Sequence, residues 1–147
     1  MVFISNIKTS AEKECSKQML TRLSSIFQTI GVIVFNCLPQ EWNDVAIHYS
    51  ADRETNYGMI EIQYSAEGLS DEIDFLKRAW NDTANAEAAA ELKSLCRLIW
   101  KILQQNGYHW PTIYICIYKS GSLSAHFTDE ENEYTLVPER NLKGLEN

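Results

Sequence analysis

Four short stretches of this chain alternate apolar and polar residues with a period of two, and they come as two pairs, each joined by a polar turn. Alternation of that kind sends successive side chains to opposite faces of a strand, so each stretch must lie with one face buried and the other open. In the first pair Val45, Ile47 and Tyr49 alternate with Ala46, His48 and Ser50. After a turn around Asp52 to Asn56, the run Tyr57 to Ser65 sets Ile60, Ile62 and Tyr64 against Met59, Glu61 and Gln63. In the second pair Ile113, Ile115 and Ile117 alternate with Tyr114, Cys116 and Tyr118, and Lys119-Ser-Gly-Ser122 leads into Leu123, Ala125 and Phe127. Short polar turns join antiparallel neighbours, so the pattern predicts two hairpins.

The remaining periodicity is helical. Thr9 and Glu12 have the spacing of a capping box, and the apolar positions Cys15, Met19, Leu23, Ile26, Phe27, Ile30, Ile33, Val34 and Cys37 recur every three or four residues up to Pro39. This predicts a long core-facing helix over 10–38, whose β-branched end at Val32 to Val34 is also compatible with a strand. Ser70-Asp-Glu opens a short amphipathic piece carrying Ile73, Leu76 and Trp80. An alanine-rich helix follows from about Ala86 to Gln105, with Leu92, Leu95, Cys96, Ile99 and Leu103 as its stripe and Asn106-Gly107 as its C-cap. The expected fold is α+β, one domain over residues 1–147. An antiparallel sheet of about four strands is covered on one face by helices, in the order α-β-β-α-α-β-β, with an irregular acidic tail from about residue 134.

With 147 residues, 45% apolar and 22% charged, the chain can bury one sizeable core. Its net charge of −7 repels phosphate backbones and anionic lipid, so neither nucleic acid nor a membrane is expected as a direct partner. The longest apolar run, Gly31 to Phe35, is far below the roughly 18–20 residues of a membrane helix, and the first residues lack a secretory pattern. A cytosolic protein is expected. The cysteines at 15, 37, 96 and 116 form no C-x-x-C and read as buried thiols.

Chemistry is hard to find. His48, His109 and His126 show no metal-ligand spacing, although His48, His126 and Glu61 would share a sheet face. Cys116 could approach His126 across the second hairpin, but nothing nearby would lower its pKa. No glycine-rich phosphate loop and no nucleophile elbow is present. The expectation is therefore no catalytic residue, no metal and no cofactor.

Two features point instead to a partner. The sheet face away from the helices should carry His48, Ser50, Glu61, Gln63, Tyr114, Cys116, Tyr118, Ser124 and His126, too polar for a core and unusually aromatic for a solvated face. Acidic charge is also concentrated. Residues 41–74 hold nine acidic residues against Arg53 alone, and Asp129, Glu130, Glu131 and Glu133 follow the last predicted strand. A solvated face would serve solubility, whereas a docking surface for a basic partner would steer and orient it.

Four stretches together resemble the YezG-like immunity proteins, antitoxins of bacterial polymorphic toxin and contact-dependent growth inhibition systems. These are the long helix closing at Leu38-Pro-Gln-Glu-Trp42, the hairpin after it, the helix ending at Asn106-Gly107 before Trp110-Pro-Thr112, and Tyr118-Lys-Ser-Gly-Ser-Leu-Ser-Ala-His-Phe-Thr-Asp-Glu-Glu131. The resemblance implies a cytosolic protein without enzymatic activity that binds a cognate toxin and blocks its active site. A basic nuclease toxin fits the acidic balance. Expected contacts are Glu61, Glu67, Asp71, Glu72, Asp74, Asp129, Glu130 and Glu131, with Tyr114, Tyr118 and His126 beside them, on a chain that is a monomer or weak dimer when free. A small acidic secretion chaperone is the alternative.

Overall fold

The structure is a computed structural model that describes residues 4–9, 17–38, 42–66, 73–74 and 83–138. Its elements are β1 (Ile4–Thr9), α1 (Lys17–Cys37), β2 (Trp42–Ala51), β3 (Gly58–Ala66), β4 (Ile73–Asp74), α2 (Thr83–Gln105), β5 (Thr112–Tyr118), β6 (Leu123–Thr128) and β7 (Glu133–Pro138). The strands form one antiparallel sheet in the order β1-β7-β6-β5-β2-β3-β4. The α+β class and both hairpins are present, joined through the β2–β5 pair at the sheet's centre.

The sheet is wider than the sequence pattern predicts, with seven strands rather than about four. The segment expected to be an irregular tail from 134 instead forms β7, which pairs with β6 and β1; residues 139–147 lie outside the described residues. Thr9, expected to cap the first helix, ends β1 opposite Tyr134, and residues 10–16 lie outside the description. Where a short helix was expected after Ser70, Ile73 and Asp74 pair with Tyr64 and Gln63 as a minimal edge strand; Leu76 and Trp80 lie outside the described residues. An edge strand this short offers little backbone to a stray partner.

Both helices bury their stripes on one sheet face. From α1 come Met19, Leu20, Leu23, Ile26, Phe27, Ile30 and Val34, so its β-branched end stays helical. From α2 come Leu92, Cys96, Ile99, Trp100, Ile102 and Leu103. Leu95, expected in that stripe, is only partly buried. By length and composition alone α1 could cross a membrane; here its apolar stripe lies within the core. Facing the helices are Val45, Ile47 and Tyr49, then Ile62 and Tyr64, Ile113, Ile115 and Ile117, Leu123 and Phe127, and Tyr134 and Leu136. Trp42 and Val45 both point inward despite their odd spacing, because the register shifts between Trp42 and Asp44, the signature of a bulge.

The helix α2 ends as its sequence requires. Gly107 takes φ of 91°, the Tyr108 N–H donates to the Leu103 carbonyl at 3.1 Å and the Gly107 N–H to Gln104 at 3.2 Å, the two bonds of a Schellman cap. Beyond it Trp110 adopts φ of 54°, a strained value for a bulky residue. Three contacts hold it: its N–H donates to Gln104 Oε1, its indole N–H to the Ala51 carbonyl, and its ring packs edge-on against Trp100.

Ile115 is 1% exposed and lies between Ile47 and Ala125 on neighbouring strands. Ile115→Ala should therefore reduce the unfolding free energy by about 2–5 kcal/mol, read from urea denaturation. A loss below about 0.5 kcal/mol would place the side chain on the wrong face.

Candidate functional site

The sheet face that the helices leave open carries a single row of polar and aromatic residues. Backbone register places Glu61 opposite His48, His48 opposite Tyr114, Tyr114 opposite His126 and His126 opposite Thr135. Neighbouring strands lie about 4.8 Å apart, so flat rings at matched positions meet face to face. The His48 and Tyr114 rings stack at 4.8 Å and 13°, and Tyr114 and His126 at 4.7 Å and 11°. Rings stacked along the row stand up from the sheet and turn their polar edges outward. Glu61 closes one end, its Oε2 3.9 Å from His48 Nδ1. Met59 and Ser50 flank the row on one side, Ala46, Cys116 and Ser124 on the other.

Of the residues expected to meet a partner, the structure brings Glu61, Tyr114 and His126 together and sets Tyr118 farther along β5, opposite Asp44. The described acidic residues fall on separate strands and turns of the sheet. Asp74 lies on β4, beside the end of β3, whereas Asp129, Glu130 and Glu131 occupy the β6–β7 turn, with β2, β3 and β5 between β4 and β6 in the sheet. Glu67, Asp71 and Glu72 lie outside the described residues.

Part of that acid has local work. Asp129 Oδ1 accepts the N–H groups of Glu131 and Asn132 at 2.9 and 2.8 Å, and Glu130 pairs with Arg53 of the β2–β3 turn. Asp52 does the same in that turn, accepting from Glu54 and Thr55, and these N–H groups hold its carboxyl below the ordinary value.

Two residues of the row were absent from the expected contacts. His48 was placed on the right face by alternation, but only the strand order shows that it sits against both Glu61 and Tyr114. Thr135 belongs to β7, where the signal was the inward pair Tyr134 and Leu136.

Strand register bears on the two arrangements weighed above. Tyr114 stands between His48 and His126, so the two imidazoles cannot close on one ion, and among the described residues no group of three His, Cys, Asp or Glu could hold a metal. Cys116 sits opposite Ser124 rather than opposite His126.

Cys37, Cys96 and Cys116 are thiols rather than disulfides; Cys15 lies outside the described residues. Burial pushes the Cys96 thiol up to about 12. At pH 8 roughly one such thiol in ten thousand is ionised, so Cys96 should resist alkylation in the folded protein and react at once in denaturant. The unfolded thiol ionises near 9.0 and the folded one near 12, so its contribution to stability holds below pH 9 and is lost as pH rises through that window. Rapid native labelling at Cys96 would contradict this.

No model of a known protein family matches the chain, and no curated protein matches it.

Proposed function

We propose that the protein is an immunity protein that binds a basic nuclease toxin domain in the cytosol and blocks its active site, with no catalytic activity of its own. The carrying observation is the uncovered row of Glu61, His48, Tyr114 and His126, which offers aromatic area and outward polar edges on a rigid sheet. The net charge of −7 supports a basic partner, and the resemblance to YezG-like immunity proteins supports the class.

The test is co-expression with the product of the adjacent open reading frame, followed by titration of the purified pair. Tyr114→Ala, checked for folding by its melting curve, should weaken the complex at least about thirtyfold, as expected of a central aromatic anchor. Reversing Asp71, Glu72 and Asp74 to lysine should weaken binding at low salt and flatten its salt dependence, while reversal of Glu12 and Glu14 should not. Tight binding by every variant would remove the open face and the acidic surface from the interface.

One observation favours the second reading, a secretion chaperone. Val32 and Phe35 of α1 are exposed beside an apolar groove of about 490 Å³ that Phe27, Ile117 and Leu123 also line. A chaperone would hold its partner unfolded in such a groove, so protease resistance of the bound partner separates the two readings.

A further inference from the structure

On the helix side of the sheet, away from the aromatic row, α2 and the start of β3 enclose a cleft of about 500 Å³, within the size range of small-ligand pockets. Three cations line it, Lys93, Arg97 and Lys101, spaced by four residues and therefore stacked along one face of α2 over about 12 Å. Among the described residues no carboxylate lines the cleft, and the ion pairs, His48–Glu61 and Arg53–Glu130, involve none of the three. In a chain of net charge −7, three like charges gathered on one helix face with no counter-charge among the described residues need another reason.

Burial supplies it. Among the described residues the Tyr49 hydroxyl, Arg97 Nη1 and the Trp100 indole N–H are buried without a well-formed hydrogen bond, although the Tyr49 hydroxyl and the Arg97 side chain lie against each other. The Tyr49 hydroxyl and Arg97 Nη1 come from residues lining the cleft, and the third is the indole N–H of Trp100, whose ring lies 4.5 Å under the Arg97 guanidinium. Buried polar groups are ordinarily satisfied, and Arg97, which lines the cleft beside Tyr49, keeps donor capacity for an acceptor there. Tyr49 cannot swing away. Its ring is fully buried, and its hydroxyl packs so closely over Gly58 that a Cβ there would lie 2.2 Å from it. At the rim the Tyr57 ring is 73% exposed, with Lys93 Nζ 5.8 Å from its centroid.

We propose that this cleft binds a small phosphorylated ligand, with phosphate oxygens accepting from Arg97 and the Tyr49 hydroxyl and neutralised by Lys93 and Lys101. A guanidinium fork matches phosphate geometry, and a row of cations 12 Å long suits a diphosphate better than a lone carboxylate. The exposed face of Tyr57 provides a stacking surface for a planar group attached to it. The cleft and the aromatic row lie on opposite sides of the sheet, so this site stands whether or not the open face binds a toxin.

Isothermal titration with pyrophosphate, and separately with ADP, at constant ionic strength tests it. Saturable binding is expected for both, tighter for ADP if Tyr57 stacks the base. Arg97→Gln should weaken pyrophosphate binding at least about tenfold and Tyr49→Phe by about threefold or more, while Lys17→Gln on α1 leaves it unchanged. If Arg97→Gln does not fold, Lys101→Gln, at an exposed position, should still weaken binding measurably. Absence of saturable heat up to about 10 mM pyrophosphate, or equal binding by all variants, overturns the proposal and leaves water as the occupant.

Discussion

Replacing Phe127 by alanine should lower the unfolding free energy by about 3–5 kcal/mol, among the largest effects expected of a single substitution here. The ring is fully buried and belongs to a closed aromatic triad. It stacks on Tyr134 at 4.8 Å and 13° and meets Tyr108 edge-on at 5.0 Å, while Tyr108 meets Tyr134 edge-on at 4.9 Å. Tyr108 arrives from the cap of α2, Phe127 from β6 and Tyr134 from β7, so one ring ties three separate elements together. Its loss forfeits burial and both ring contacts and leaves a cavity that paired strands cannot collapse to fill. A melting temperature lower by on the order of ten degrees is expected, and Phe127→Leu, which keeps most of the volume, should lose about half as much or less. A fall of less than about 1 kcal/mol for the alanine variant would mean that the triad is not formed.

Ending the chain after Asn132 should abolish cooperative unfolding. That truncation removes Tyr134 and Leu136, both buried, at about 1.5–3 kcal/mol each for lost burial alone. It also strips β1 of its strand partner and turns β6 into an edge. Against a typical net stability of about 5–15 kcal/mol, the sum of these losses consumes most of what holds the fold. The expected result is loss of near-ultraviolet dichroism and binding of a hydrophobic dye. A sharp melt within a few degrees of the full chain would show β7 to be dispensable.

The second of these experiments falls where the sequence was least legible. The inner strands announced themselves because each carries three or more apolar residues in strict alternation, as Ile113, Ile115 and Ile117 do. In β7 the inward pair Tyr134 and Leu136 follows the acidic stretch from Asp129 to Glu133, and two apolar residues do not make a period. In β1 the residues Ser5, Asn6 and Lys8 dilute Ile4 and Ile7, and the strand's partner lies far along the chain. Ile73 and Asp74 sit behind Ser70-Asp-Glu, a good helix opening, and a two-residue strand has no pattern with which to compete.

The open face was legible as a face, since alternation decides which side a residue takes. Its row was not. That Tyr114 stacks between His48 and His126 depends on β5 lying beside β2, a pairing between residues more than sixty positions apart. The same non-local order separates Asp74 on β4 from the β6–β7 turn that carries Asp129 to Glu131. The basic cleft was missed because α2 was read for its apolar stripe, although Lys93, Arg97 and Lys101 repeat with helical spacing on its other side.

The pairing of β1 with β7 carries a consequence for how the chain reaches this state. Ile7 meets Leu136 across about 130 residues, so closing that pair requires the largest loop in the molecule, and its entropy cost falls before any contact repays it. The local hairpins can form long before. Contacts between β1 and β7 are then expected to form after the transition state, so weakening them should accelerate unfolding and leave the folding rate nearly untouched. Substitutions at the edge where the first and last strands meet should therefore shorten the lifetime of the native protein more than they slow its folding.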